Sequence, residues 1–388
     1  MLTRNIEFYN FNIKKKLKLL KIKKDFLKFN NLVKTFPLLK SYSKNYKYSY
    51  KKKIITKYKN NKNFRILGMG GSILGTEAIY QFLNEKIKKE FEFINNLNPK
   101  ISVKKKAVNL IVSKSGETLE TISNFHVLLK KNKNEKNIFI TENKKSYLSE
   151  LAHRIKSDVV EHKNFIGGRY SVLSEVGMLP AELMGLDEKK FKRLNNLISS
   201  KRFINQLTNN VDQILNFVKK GKLNSIILNY DEKSENLFKW YQQLVGESLG
   251  KKSMGLIPIL SSMPKDNHSL LQLYLDGPKN NFYTFFNINE NKTDILKSNL
   301  ILNSKRYLQK KSLSQIICAQ ELSTQNIFKQ KKIPFRSFKI LKRNEETLGE
   351  LFCFFVLETI LLGKALKLNP FDQPSVELIK IETKKILS

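Results

Sequence analysis

The sequence predicts an α/β fold built from two parallel-sheet units, and three observations point to it. From Asn63 onward, short apolar runs alternate with amphipathic stretches of about 10–15 residues, the pattern of strands whose crossover helices cover both faces of a sheet. The alternation occurs twice, on either side of a long helical stretch from about Glu188 to Lys220. Glycine- and serine-rich turns follow two strands of the first series, where ligands bind in open α/β sheets. With 388 residues, 41% of them hydrophobic, and 26 Phe and 14 Tyr, the chain has the material for sizeable cores.

Taken in order, residues 1–62 carry 19 Lys and Arg against two acidic residues, with Phe26, Leu27, Leu32 and Leu39 at helix-compatible intervals. A basic helical lead-in is expected there. The first α/β series, 63–187, has expected strands at Phe64–Met69, Val108–Val112, Asn137–Thr141 and Asp158–Glu161. Its helices are expected around Ile73–Lys89, Thr118–Lys131 and Lys145–Lys156. The second series, 188–345, has expected strands at Leu223–Asn229, Met254–Ile259, Asn281–Asn287 and Phe335–Ile340, with Glu235–Leu249 and Thr293–Gln330 helical between them. A strongly apolar helix, Thr347–Leu368, stops at Asn369-Pro370, because proline disfavours helical geometry in the residue before it. A last helix runs from Val376 to about Leu387, so residues 346–388 are expected to form a C-terminal helical arm.

The charge excludes less than its size implies. There are 71 Lys and Arg against 34 Asp and Glu, a formal net charge of +37, yet only nine of the basic residues are Arg. A nucleic-acid binder concentrates Arg and Lys on one element, whereas here Lys is spread along the whole chain beside many Asn, Ile and Phe. That spread reads as compositional bias, with no specific nucleic-acid partner, although small anionic substrates would still be attracted. Cys318 and Cys353 both lie in apolar sequence, which fits buried thiols in a reducing compartment. The N-terminus lacks an apolar core of signal-peptide length, and the longest apolar run, Leu351 to Gly363, contains Glu358 and is too short to span a bilayer. A soluble cytoplasmic protein with no membrane association is expected.

Two turns have the composition of anion sites. Gly68-Met69-Gly70-Gly71-Ser72-Ile73-Leu74-Gly75 follows a strand and precedes a helix, so glycine lets the backbone approach a ligand while the helix start presents free N–H groups. It is no dinucleotide fingerprint, since Ile73 stands where the third glycine belongs, and no P-loop, since Thr76 follows Gly75. A bare structural turn would also explain it. Ser113-Lys114-Ser115-Gly116-Glu117-Thr118 occupies a second strand end, with hydroxyls and N–H groups suited to a phosphate monoester; helix capping alone is the alternative. Further along stand Gly167-Gly168-Arg169-Tyr170-Ser171, Gly246-Glu247-Ser248-Leu249-Gly250-Lys251, Asn267-His268-Ser269, and Gln373-Pro374-Ser375-Val376-Glu377-Leu378-Ile379-Lys380. Each is weak alone. No His/Cys/Asp cluster has metal-ligand spacing, and no cofactor is expected.

Together and in this order the motifs resemble those of the glucose-6-phosphate isomerase family, over about Asn63 to the C-terminus. The resemblance implies two sugar isomerase (SIS-type) domains of doubly wound parallel-sheet form with a C-terminal helical arm. It also implies a homodimer in which His268 is donated across the interface, and the interconversion of glucose 6-phosphate and fructose 6-phosphate in glycolysis and gluconeogenesis. By the same resemblance, Ser72 and the loop Ser113, Lys114, Ser115, Gly116 and Thr118 hold the phosphate, and Gly71, Gly168, Gln243 and Gln373 complete the substrate-binding set. Glu247 is the base that moves a proton between carbons 2 and 1, Arg169 stabilises the enediolate, and His268 with Lys380 assists ring opening. These residue types suit the chemistry. A proton next to a carbonyl needs a positioned carboxylate, a developing oxyanion needs fixed positive charge, and ring opening suits an imidazole near neutral pH.

Four positions depart from the family pattern: Leu249 for Asn, Glu117 for Thr, Asn267 for Gln and Ser375 for Gly. A carboxylate facing a phosphate would weaken binding, so Glu117 is expected to point away, as a helix N-terminal residue favoured by the macrodipole. A non-catalytic sugar-phosphate sensor of the same fold, or a dual isomerase also accepting mannose 6-phosphate, are the alternative readings.

Overall fold

The computed structural model describes residues 1–11, 29–97, 106–131, 135–290 and 293–388. Phe26 and Leu27 of the expected lead-in fall outside the described residues. Among the described residues there are ten strands: β1 (Ile6–Tyr9), β2 (Asn63–Leu67), β3 (Glu90–Ile94), β4 (Val108–Val112), β5 (Lys136–Thr141), β6 (Asp158–Glu161), β7 (Asn224–Asn229), β8 (Ile257–Ser262), β9 (Asn281–Ile288) and β10 (Phe335–Ile340). The helices in the first half are α1 (Phe29–Thr35), α2 (Lys52–Tyr58), α3 (Leu74–Phe82), α4 (Leu119–Lys131), α5 (Tyr147–Arg154), α6 (Glu175–Met184) and α7 (Leu194–Ser199). Those in the second half are α8 (Lys201–Lys219), α9 (Glu235–Leu249), α10 (Leu271–Asp276), α11 (Leu313–Gln330), α12 (Glu345–Ala365) and α13 (Pro374–Leu387). None is long and apolar enough to cross a membrane.

The chain forms two compact units that interleave along the sequence. The β1 unit takes Met1–Lys21, Arg202–Glu235 and Gly255–Arg343, and the β2 unit takes Ile22–Lys201, Asn236–Met254 and Asn344–Ser388. This differs from consecutive blocks divided at 62/63, 187/188 and 345/346. Most of α9 and all of α12 pack with the β2 unit, because their apolar faces meet there: Trp240 stands edge-on to Phe352 at 4.8 Å between ring centres, and Tyr241 meets Phe355 at 4.6 Å.

In the β2 unit the sheet order is β3-β2-β4-β5-β6, all parallel. β4 is buried along its whole length, as a strand covered on both faces must be. Phe125 and Leu128 of α4 and Leu148 and Ala152 of α5 close over Leu67, Ile111 and Phe139 of the strands. Because β3 and β4 flank β2 on opposite sides, successive connections leave in opposite directions after β2. That makes the C-terminal ends of β2 and β4 the crevice of the sheet. α12 is apolar all round and buried from Thr347 to Gly363; its one central carboxylate, Glu358, accepts a hydrogen bond from the Tyr241 hydroxyl at 3.1 Å. Within the expected arm, α13 has no buried residue.

The β1 unit has the order β1-β10-β9-β7-β8, with β1 antiparallel and the rest parallel. β1 corrects the expectation of a wholly helical lead-in: Ile6 and Phe8 face the core while Glu7 and Tyr9 face outward, a strand's period of two. At its corresponding switch point, between β7 and β9, Arg343 pairs with Asp231 at 2.6 Å and Glu290 at 2.7 Å. An internal ion-pair network occupies that place, where the β2 unit has glycine turns.

Other differences have local causes. β8 starts at Ile257 instead of Met254 because the backbone is still turning, with positive φ at Lys252, Ser253 and Gly255. The helix expected from Thr293 begins only at Leu313, where Ser312 and Gln315 form a reciprocal capping box. The stretch Glu188–Lys220 is a 3-10 turn, α7 and α8 in succession, and the turn ends at the buried Lys192.

Candidate active site

Two glycine segments meet backbone to backbone beside the crevice of the β2 unit. A Cβ on Gly71 would lie 2.1 Å from the Gly168 carbonyl carbon, and a Cβ on Gly70, at φ +52°, would lie 2.5 Å from Nε2 of Gln243. Only glycine permits the backbone approach at Gly71, and the left-handed φ favours glycine at Gly70. The Ser171 hydroxyl donates to the carbonyls of both Gly71 (3.2 Å) and Gly168 (2.7 Å), which joins the segments. Ser72 ends the short turn Gly70–Ser72, half-buried, just before α3.

The second turn follows β4 and collects hydroxyls. Ser113 Oγ and Thr118 Oγ1 share a hydrogen bond of 2.8 Å, and the Gly116 N–H donates to Ser113 Oγ at 3.2 Å. Gly116, at φ +72°, takes the left-handed geometry this tight turn needs, and the Glu117 N–H donates to Ser115 Oγ. Lys114 is directed elsewhere, donating to the Asn164 carbonyl at 2.8 Å and lying 3.5 Å from Glu142. Glu117 accepts the Tyr147 N–H at 2.7 Å, at the start of α5 beside its N-cap Ser146. Its negative charge is spent on a helix N-terminus.

Arg169 is the hub of the site. It sits on the 3-10 turn Gly168–Leu173, is 2% exposed, and forms five hydrogen bonds. Its Nε donates to Ser248 Oγ (2.9 Å), Nη1 to Glu247 Oε2 (2.9 Å) and Gln373 Oε1 (2.8 Å), and Nη2 to the carbonyls of Pro370 (2.6 Å) and Asp372 (3.2 Å). A planar guanidinium can satisfy so many acceptors at once and lysine cannot. On α9, Gln243 lies one turn before Glu247 and donates Nε2 to Glu247 Oε1 at 2.9 Å. Both oxygens of Glu247 are therefore oriented, while its side chain keeps 32% exposure. Gln243 Oε1 is buried with no hydrogen-bond partner among the described residues.

Motif residues outside the expected set complete the hub. The Tyr170 hydroxyl bonds Ser248 Oγ (2.8 Å) and the Pro370 carbonyl (2.9 Å), and burial raises its pKa. Lys251 pairs with Asp372 at 2.7 Å and donates to the Asn369 carbonyl, tying the 369–373 segment to the end of α9. Of the residues expected at the site, the structure thus brings together Gly71, Gly168, Arg169, Gln243, Glu247 and Gln373. Lys380 is not among the groups joined to Arg169: it is exposed on α13 with its ammonium on Glu377 at 2.6 Å. His268 belongs to the β1 unit, exposed at the end of the turn Lys265–His268.

A family model described as phosphoglucose isomerase matches residues 39–388. A glucose-6-phosphate isomerase of Methanocaldococcus jannaschii is 32% identical over 358 residues, 86% of each chain. Another, of Mycoplasmopsis pulmonis, is 32% identical over 353 residues, 83% of this chain and 82% of that one. Among solved structures, a hypothetical protein of Thermus thermophilus aligns with a TM-score of 0.79 at 24% identity, over 87% of both chains. A glucose-6-phosphate isomerase of Chlamydia trachomatis aligns at 0.73 with 18% identity, over 86% of this chain and 71% of that one. These two alignments show the fold.

Proposed function

The chain belongs to the phosphoglucose isomerase family, and from that premise we propose that it interconverts glucose 6-phosphate and fructose 6-phosphate through an enediolate, with Glu247 as the base. The observation that carries the assignment of roles is the Gln243–Glu247–Arg169 chain: a carboxylate held at both oxygens and still open to solvent, against a buried guanidinium.

In the open-chain aldose, Glu247 removes the proton on carbon 2, and the electron pair moves to the carbon 1 carbonyl oxygen to give the enediolate. Arg169 lies against the same carboxylate and stabilises the charge that develops, without giving up a proton of its own. The proton on oxygen 2 passes to the oxyanion at oxygen 1, and return of the carbon-bound proton from Glu247 to carbon 1, with oxygen 2 becoming the carbonyl, yields the ketose. Ser72 and the hydroxyls of Ser113, Ser115 and Thr118 hold the phosphate, which takes no part in the bonds that change but supplies binding energy that orients the reacting carbons. Gln243 and Gln373 contact the sugar. Ring opening falls to His268 and Lys380, with His268 supplied by a second copy in a homodimer. The apolar surface of α13 supports a partner there, since Leu378, Ile379, Ile386 and Leu387 are 68–77% exposed.

Turnover of fructose 6-phosphate by the purified protein tests the activity, and Glu247→Gln tests the base. The variant should lose about 10²–10⁴-fold in kcat. A rate near that of the unaltered protein would remove Glu247 from the role, while no turnover by the unaltered protein would favour a sugar-phosphate sensor.

A further inference from the structure

Lys192 is 3% exposed, a depth at which lysine is rare unless fully partnered. Its ammonium donates to the main-chain carbonyls of Ser41 and Leu173. It also lies over the rings of Tyr46 and Tyr48, 5.1 and 4.7 Å from their centres. Two carbonyls and two ring faces stand in for its hydration shell. The Tyr46 hydroxyl is fixed in turn by both oxygens of Glu175 at 2.9 Å.

Leu173 is the last residue of the turn that carries Arg169. Side chains hold four of the carbonyls of that 3-10 turn. Gly168 accepts from Ser171 (2.7 Å), Arg169 from the Trp240 indole (3.2 Å), Tyr170 from the Tyr42 hydroxyl (2.9 Å), and Leu173 from Lys192. Tyr42 and Ser41 are adjacent, so the segment around them grips the turn at two points.

We infer that Lys192 is a positioning residue for Arg169: by clamping the Leu173 carbonyl to the Ser41 carbonyl it fixes the turn from which the guanidinium reaches Glu247. The inference rests on the role proposed above for Arg169. A guanidinium displaced by a fraction of an ångström still binds a sugar phosphate but meets the enediolate poorly, so the loss falls on the charged intermediate rather than on the ground state.

The test measures calorimetric affinity for two ligands. One is a five-carbon sugar-acid phosphate whose carboxylate mimics the enediolate, and the other is a neutral hexitol phosphate. Lys192→Met should weaken the anionic mimic about 10-fold and the hexitol phosphate less than about 2-fold, with kcat falling in parallel and KM little changed. Equal weakening of both ligands, or of neither, overturns the inference. Should Lys192→Met fail to fold, the cage wall serves: Tyr48→Leu should show the same selective loss and Tyr48→Phe, which keeps the ring, should not. Arg169→Ala separates the two levels. If it leaves mimic affinity intact, the role of Arg169 fails; if it lowers mimic affinity while Lys192→Met does not, the positioning inference fails alone.

Discussion

The contact between Gly71 and Gly168 allows a sharp prediction from a single methyl group. In Gly71→Ala the new Cβ would lie 2.1 Å from the Gly168 carbonyl carbon, 2.3 Å from its oxygen and 2.4 Å from the Arg169 nitrogen. Ordinary contact begins at 3.4 Å, so the two backbones must part by about 1.3 Å, and backbone cannot swing aside as a side-chain tip can. The atoms pushed are the peptide of Arg169 itself. A displacement of about 1 Å at a reacting centre costs on the order of 10²-fold in rate, and overpacking a tight contact costs about 1–3 kcal/mol in stability. The expected result is therefore a folded variant with kcat for fructose 6-phosphate down about 100-fold and a lowered midpoint in urea. Turnover and stability both equal to those of the unaltered protein would refute the claim that this approach sets the position of Arg169.

Two further predictions concern charge. Burial lowers the pKa of His162 from its ordinary 6.5 to about 4, so between those values the unfolded ring binds a proton that the folded one does not. Stability contributed by the neutral ring is present above pH 6.5 and lost as pH falls towards 4, by about 3 kcal/mol over that window; urea titrations at pH 4.5 and 7.5 should show His162→Phe lacking that part of the pH dependence. Glu117→Ala should lower stability by about 0.5 kcal/mol through loss of its bond to the first N–H of α5, whose N-cap is Ser146. Its KM for fructose 6-phosphate at physiological salt should stay within about 2-fold, and a large drop in KM would mean that the carboxylate opposes the phosphate after all.

Much of the architecture was legible in the residues. β4, β6 and β10 fall on the expected boundaries; β4, buried along its whole length, reads as an apolar run broken only by Asn109, whereas β6 at the sheet edge keeps only the pair Val159-Val160 between two acids. β1 was not legible: four residues at the sheet edge, inside a lysine-rich stretch, carry too short a period to stand out. The site was readable where its chemistry is contiguous, as in Gly168-Arg169 or the Ser113–Thr118 loop. It was opaque where the partner is a main-chain carbonyl, since the acceptors at Pro370, Asp372, Ser41 and Leu173 depend on where the backbone passes and on no residue type.

The interleaving of the two units bears on how the protein is made. Arg169 emerges from the ribosome early, but Glu247 comes some eighty residues later, and the carbonyls of Pro370 and Asp372 and the amide of Gln373 later still. A nascent chain halted before Pro370 holds a desolvated cation with three of its five acceptors missing, an arrangement that a low-dielectric interior penalises heavily. Burial of that cation is thus completed only by a late segment, and no single cut between Arg169 and Gln373 leaves the hub in one fragment.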